Sequence, residues 1–194
     1  MNREQIEQTV GEILALYRSY GNEDYIGEPV SQIEHMCQCA QLAEEGGYDT
    51  DMVLAALFHD IGHLCEHIMP VAHMQGFGVA DHEKLGADYL REKGFSEKIA
   101  RLVASHVEAK RYLTYSDPAY CEKLSAASRE TLALQGGVMN ESEAKAFESD
   151  PLHGSYITLR RWDELAKKEH VPLPDLTHFG NLMREHLQNN NQPV

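Results

Sequence analysis

The sequence predicts an all-α protein. Apolar residues recur at helical spacing along nearly the whole chain, no stretch alternates long enough for a strand, and capping residues stand before most apolar runs. The 194 residues suit one domain spanning 1–194, since domains cluster near ~100–200 residues. A fold of this size buries roughly 70% of the surface of its unfolded chain, so it needs neither a disulfide nor a metal merely to fold.

The first helix is expected from about Arg3 to Tyr20, with Ile6, Val10, Ile13, Leu14 and Tyr17 on one face. After the loop GNEDYIGE, Pro29 suits a first helical turn, and Gly46-Gly47 ends that second helix. Asp49 or Asp51 caps the third, MVLAALFHDIGHLCEH, which is apolar nearly all round and therefore expected at the centre. Residues 68–80 carry Pro70, Gly76 and Gly78 and read as a loop. Asp81 caps a helix to Arg91, stopped by Gly94, and Ser96 starts one continuous helix, SEKIARLVASHVEAKRYLTY. Ser125 starts a shorter helix ending at Gly136-Gly137, and Asn140 with Glu143 has capping-box spacing. Asp150-Pro151 opens the helix holding Arg160 to Lys167, 175–188 form a last amphipathic helix, and 189–194 read as a frayed tail. No repeat and no linker interrupts the series.

Charge narrows the function. With 17 Lys+Arg against 31 Asp+Glu the formal charge is −14, spread along the chain. Such a field repels phosphate backbones and anionic lipid, so neither nucleic acid nor a membrane is an expected partner. The N-terminus, MNREQIEQTVGE, has no apolar core of a signal peptide, and the run Met52 to Phe58 is far short of the ~20 residues that cross a bilayer. Cys37, Cys39, Cys65 and Cys121 form no C-x-x-C pair and are read as reduced thiols of a cytoplasmic protein. The oligomeric state is not legible.

The chemistry lies in an ordered series of histidines and carboxylates: His35, His59-Asp60, His82, His106 and Asp163, each on or beside a different expected helix. Singly, each is as well explained by a surface or hydrogen-bonded side chain. Together they suggest one interior site, because a helical bundle can aim side chains from several helices at a shared point. A His-Asp pair inside an apolar helix is costly to bury unless it is paired or binds metal. A His-rich set with two carboxylates suits iron, manganese or zinc, and a carboxylate beside a ligating His can bridge two ions. No H-E-x-x-H or E-x-x-H occurs, which argues against a zincin and a ferritin-like bundle. Gly76-Phe77-Gly78 lacks the strand and third glycine of a dinucleotide fingerprint.

The series resembles the HD-domain superfamily in its dinuclear-metal form. Further segments, DYIGE (24–28), HDIGH (59–63), HEKLGADYL (82–90), HVEAKRYL (106–113), LSAASRETLALQGG (124–137) and RRWDE (160–164), resemble the phosphonate-cleaving, mixed-valent diiron oxygenase branch, over roughly residues 20–175. The resemblance implies a helical HD-domain bundle with two Fe ions, Fe(II)/Fe(III), in its core. His35, His59, Asp60 and Asp163 would hold one iron, and Asp60, His82 and His106 the other, with Asp60 bridging. It implies O₂-dependent cleavage of the C–P bond of (R)-2-amino-1-hydroxyethylphosphonate to glycine and phosphate, a step in organophosphonate catabolism. His63, Lys110, Ser128, Thr131 and Arg160 would meet the phosphonate, Tyr25 would cap the second iron until substrate binds, and Glu28 would receive the substrate ammonium. Helical spacing is compatible with this: His59 and His63 are i,i+4, as are His106 and Lys110, and Arg160 is i,i+3 from Asp163. The same ligands could serve an HD-type phosphohydrolase or an inositol-oxygenase-like enzyme, and the N-trimethylated hydroxyphosphonate is an alternative substrate. A non-catalytic metal-binding role is the remaining alternative.

Overall fold

The protein is described from a computed structural model covering residues 1–25, 27–74 and 76–190. Among these residues it is all-α: α1 (Arg3–Tyr20), α2 (Gln32–Glu45), α3 (Thr50–Phe58), α4 (Ile61–Leu64) followed by a 3₁₀ turn (Cys65–His67), α5 (His82–Glu92), α6 (Glu97–Ala104), α7 (His106–Ser116), α8 (Pro118–Lys123), α9 (Ala126–Leu134), α10 (Glu141–Glu148), α11 (His153–Leu165) and α12 (Leu176–Asn190). Helix α3 is the hub. All its residues from Met52 to Phe58 are buried, and α2, α6, α11 and α12 pack around it. The Tyr17 hydroxyl of α1 donates to the Leu57 carbonyl at 2.6 Å, tying the first helix to the end of this hub. None of the described helices is long and apolar enough to cross a membrane, and all four cysteines are free thiols.

The local signals explain most helix starts. Asn2 and Gln5, Ser31 and Glu34, and Asn140 and Glu143 form reciprocal capping boxes, and Asp49 caps α3. Pro29 does not lie in the first turn of α2. The Ser31–Glu34 box sets the start at Gln32, and Pro29 stays in a loop where Tyr25 N–H bonds the Val30 carbonyl at 3.1 Å. Helix α8, not expected from the sequence, starts where Asp117 caps Ala119 and Tyr120 with Pro118 in the first turn. Helix α12 continues to Asn190, so residues 189–190 of the expected frayed tail are helical, and residues 191–194 lie outside the described ones.

Two expected continuous helices are broken, each at a candidate ligand. The segment 52–67 divides at His59-Asp60, and 96–115 divides at Ser105. In both breaks an imidazole takes a backbone carbonyl from the preceding turn: His59 Nδ1 donates to Ala56 O and His106 Nδ1 to Val103 O, each at 2.8 Å. These are acceptors that the helix ladder would otherwise use, so the side chains compete with the helix and turn the chain into the core. At the first break α4 runs so close to α5 that a Cβ on Gly62 would lie 1.9 Å from the His82 carbonyl oxygen. Only glycine allows that approach.

Candidate active site

The breaks and helix starts bring the six candidate ligands to one point. His35 comes from α2, His59 and Asp60 from the α3–α4 turn, His82 and His106 from the first residues of α5 and α7, and Asp163 from α11. All six are at most 5% exposed. Asp60 stands between two groups. Its Oδ2 lies 3.4 Å from His59 Nε2 and 3.6 Å from His35 Nε2, while its Oδ1 lies 3.3 Å from His82 Nε2 and 3.4 Å from His106 Nε2. Asp163 Oδ1 joins the first group, 3.4 Å from His35 Nε2.

Hydrogen bonds fix which nitrogens face inward. Nδ1 of His35, His59 and His106 each meets a backbone carbonyl, of Ala166, Ala56 and Val103. A carbonyl only accepts, so these Nδ1 atoms carry the hydrogen and the neutral rings present Nε2 lone pairs. Yet His35 and His59 Nε2 are 2.9 Å apart, and His82 and His106 Nε2 are 3.1 Å apart. Facing lone pairs at that distance repel unless a cation neutralises them. Two nitrogens at ~2.1 Å from one ion, at right angles, stand ~3 Å apart. Asp60 Oδ2 and Asp163 Oδ1 are buried without a hydrogen bond, as sites awaiting a cation would be.

The electrostatics agree. Burial opposes a charge on His59, but Asp60 beside it outweighs that and lifts its pKa to about 9. Burial likewise works against ionised Asp60 and Asp163, yet His59 with its neighbouring imidazoles, and Arg160, hold the two carboxyls well below the usual range. The converging Nε2 atoms and the unpaired carboxylate oxygens among them fit a pair of metal ions. Cys39 also lies within reach of His35 and His59. Burial, then the charges of Asp163 and Asp60, push its thiol well up. Asp163 is therefore the better third donor.

His82 departs from the pattern. Its Nδ1 finds no hydrogen bond and faces Glu83 Oε2 at 3.7 Å, an oxygen that is also buried and unpaired. Its ring stacks on that of His63, with centroids 4.1 Å apart.

A cavity of about 90 Å³ opens on the second group: Asp60, His82, His106 and Asp163 line it, whereas His35 and His59 do not. Its volume is well under the ~300–1,000 Å³ of sites for drug-sized ligands. The walls carry His63, Lys110, Ser128, Thr131 and Arg160, all expected from the sequence, with Met74, Phe77 and Gly78 from the 68–80 loop. His63 Nδ1 accepts the Val79 N–H at 3.2 Å, and burial with the neighbouring His82 brings its pKa down to about 3. The ring is neutral with its hydrogen on Nε2, a donor. Gly78 makes this packing possible, since at φ 84° a Cβ there would lie 2.7 Å from His63 Cε1. Lys110 donates to Thr131 Oγ1 at 2.9 Å, and burial, then Arg160, bring its pKa down to about 7.

Arg160 reaches the cavity but is already engaged. Its guanidinium bonds Asp163 and Glu164, donates to the Tyr120 hydroxyl at 2.9 Å and reaches Ser128 Oγ at 3.5 Å. Tyr25 lines the cavity and stacks on the candidate ligand His35, centroids 4.2 Å apart. Burial, then Asp60 and Asp163, push its phenol well up, so it is protonated. Glu28 lines the cavity too, and its Oε1 accepts from Ser125 Oγ at 2.6 Å and Lys167 Nζ at 2.7 Å.

Sequence reasoning missed Tyr120, Glu164, Lys167 and the 68–80 wall. Glu164 had a signal, since it is i+4 from Arg160 on the same helical face, whereas the helix expected to reach Lys167 ends at Leu165. Just beyond α11, the chain contacts the site three times: Ala166 O takes His35 Nδ1 at 2.9 Å, Lys167 takes Glu28, and Lys168 exchanges two hydrogen bonds with the Gln38 side chain.

Comparison with known proteins places the chain in a family. Residues 33–147 match the HD domain, a span holding His35, His59, Asp60, His82 and His106 and ending before Asp163. An uncharacterized protein of Acanthamoeba polyphaga mimivirus, L432, is 44% identical over 193 residues, covering 100% of this chain and 88% of the viral protein. The 1-hydroxy-2-(trimethylamino)ethylphosphonate dioxygenase (glycine-betaine-forming) of Leisingera caerulea is 38% identical over 184 residues, 95% of this chain and 91% of its own. The hydroxymethylphosphonate dioxygenase of Gimesia maris is 33% identical over 192 residues, 91% of this chain and 94% of its own. The chain belongs to the HD-domain family. Within it, the chain stands with the relatives named as hydroxyphosphonate dioxygenases.

Proposed function

We propose that this protein is an O₂-dependent oxygenase that cleaves the C–P bond of a small 1-hydroxyphosphonate, with (R)-2-amino-1-hydroxyethylphosphonate, giving glycine and phosphate, as its preferred substrate. One O₂ per substrate balances that reaction. The observation that carries the reading is the cavity: Asp60, His82, His106 and Asp163 of the histidine–carboxylate cluster line it, and its walls hold a lysine, an arginine, two hydroxyls and a neutral histidine donor. Relatives named as phosphonate dioxygenases support the same reading.

His35, His59, Asp163 and Asp60 Oδ2 would hold one iron, and His82, His106 and Asp60 Oδ1 the other. Such an iron pair supplies the one-electron chemistry toward O₂ that C–H and C–P cleavage require. The chain's own residues bind and orient. Lys110, Arg160, Ser128 and Thr131 meet the phosphonate oxygens with charge-assisted and hydroxyl hydrogen bonds, and His63 donates from Nε2. This confines a basic anion site to one pocket of an acidic protein. Tyr25, over the His35 ring, covers the cluster and limits water. Glu28 offers Oε2, which takes no hydrogen bond among the described residues, to a donor on the substrate.

The test is phosphate release with O₂ uptake by iron-reconstituted protein. We expect release to stop under strict anaerobiosis. Full turnover without O₂, or brisk cleavage of phosphate esters, would make the protein an HD-type phosphohydrolase instead.

A further inference from the structure

The carboxylate expected to receive a substrate ammonium already faces a cation of the protein. Glu28 Oε1 accepts from both Lys167 Nζ and Ser125 Oγ, and the Glu28 and Lys167 side chains are only 8% and 12% exposed. Lys167 in turn lies 3.9 Å from Glu164 Oε2, Glu164 is bonded to Arg160, and Arg160 to Asp163. Charge therefore alternates from a candidate metal ligand to Glu28 in the cavity wall. Among these hydrogen bonds none reaches Glu28 Oε2.

We propose that Lys167 is a specificity-determining positioning residue, which balances the charge of Glu28 and fixes its carboxylate so that only Oε2 addresses the substrate. This rests on the hydroxyphosphonate reading above. A carboxylate so balanced attracts a bare positive charge weakly but remains a directional hydrogen-bond acceptor. It therefore selects a substrate by an N–H aimed at Oε2. A quaternary nitrogen has no N–H, and is held instead by aromatic faces and uncompensated negative charge. The aromatic side chains lining this cavity are Tyr25 and Phe77, and Tyr25 has one face against His35.

The experiment uses iron-loaded full-length protein and three probes: hydroxymethylphosphonate, (R)-2-amino-1-hydroxyethylphosphonate and its N-trimethylated analogue. Kd for each is measured anaerobically by calorimetry, and kcat and KM by phosphate release with O₂, alongside iron content. Wild type is expected to bind the free-amine compound at least tenfold more tightly than the trimethylated one. Lys167→Met, which bares the Glu28 charge, should shift that ratio at least tenfold toward the trimethylated compound, chiefly through Kd and KM, with iron content kept and Lys167→Arg restoring the wild-type ratio. Glu28→Gln, which bares Lys167 instead, should weaken both cationic probes at least tenfold relative to hydroxymethylphosphonate. It reads the same pair if Lys167→Met does not fold. An unchanged ratio of the two cationic probes in soluble Lys167→Met, an unchanged ratio of the cationic probes to hydroxymethylphosphonate in Glu28→Gln, or a wild type that prefers the trimethylated probe overturns the role of Lys167. Tight binding with no O₂-dependent phosphate release overturns the oxygenase reading while leaving the ratios to judge Lys167.

Discussion

The two halves of the cluster share one carboxylate and differ in nearly everything else. The His35, His59 and Asp163 half has three side-chain donors besides Asp60 Oδ2, and both its rings are pinned to backbone carbonyls. The His82 and His106 half has two besides Asp60 Oδ1, one ring pinned to a carbonyl and the other facing a carboxylate. Both histidines of the second half line the cavity, and neither of the first half does. The half with more donors, whose two imidazoles lie off the cavity, would be the one to retain an ion. The half with fewer donors keeps positions for an incoming ligand, as an open catalytic site must. On the proposed function, this asymmetry in donor count would set the side on which a substrate binds.

The severest test of the comparison removes what the halves share. Asp60→Ala should empty both and abolish phosphate release, read by metal analysis and phosphate assay. His106→Ala should empty chiefly the second half, leaving about one ion per chain where the wild type holds two. A wild type that is fully active with a single ion would end the two-ion description. Next in size is Lys110→Ala, which should cost about ten- to a hundredfold in kcat/KM with metal content kept, since a charge-assisted hydrogen bond is worth ~1.5–3 kcal/mol. Burial, then Arg160, bring the Lys110 ammonium down to about 7, so it is charged below that pH and neutral above. Phosphonate affinity should therefore weaken as pH rises through about 7, and Lys110→Arg should remove that dependence.

Smaller effects sharpen the contrast. Glu83→Gln should weaken metal affinity by about tenfold, in the second half alone, because a carboxylate beside a ligating histidine orients the ring and raises its basicity. Loss shared equally by both halves would show that Glu83 acts on the fold instead. The smallest effect is a control far from the cluster. The hydrogen bond from His186, helped by Lys98, holds the partly buried Asp51 carboxyl down at about 2 against 3.8 ordinarily. A depressed carboxyl stabilises the fold above its unfolded value and loses that contribution as pH falls from about 4 to about 2. Asp51→Asn should cost under about 1 kcal/mol after screening, flatten acid denaturation in that window, and leave the metal ratio of the two halves unchanged.

Much of the helical order was legible because capping boxes and apolar spacing are local. Asn140 with Glu143 and the apolar ring of Met52 to Phe58 needed no knowledge of the rest of the chain. The breaks at His59 and His106 were not legible, because an imidazole taking a carbonyl one turn back looks, in sequence, like any helical residue. The six candidate ligands were found as a set, and the structure brings them together. What escaped were pairings set by tertiary distance. Glu28 and Lys167 are 139 residues apart, and each alone reads as a solvated surface charge. Arg160 was expected to face a phosphonate. Its pairing with Asp163 and Glu164 is local, at i,i+3 and i,i+4, and the first was open to the sequence as a plain ion pair.

The stretch from Ala166 to Lys168 has a consequence for how such a chain can diverge. Its hold on His35 is a main-chain oxygen, and its hold on Gln38 uses the Lys168 peptide groups. Side chains at 166 and 168 can therefore drift while these contacts persist, within the limits of packing. Length cannot. A one-residue insertion between Asp163 and Ala166 would rotate everything beyond it by roughly 100° on a helix of 3.6 residues per turn, withdrawing the His35 anchor and the Glu28 partner together. In relatives of this protein, the spacing from Asp163 to the end of α11 is the quantity to hold constant, while among the residues just beyond it position 168 is comparatively free to change.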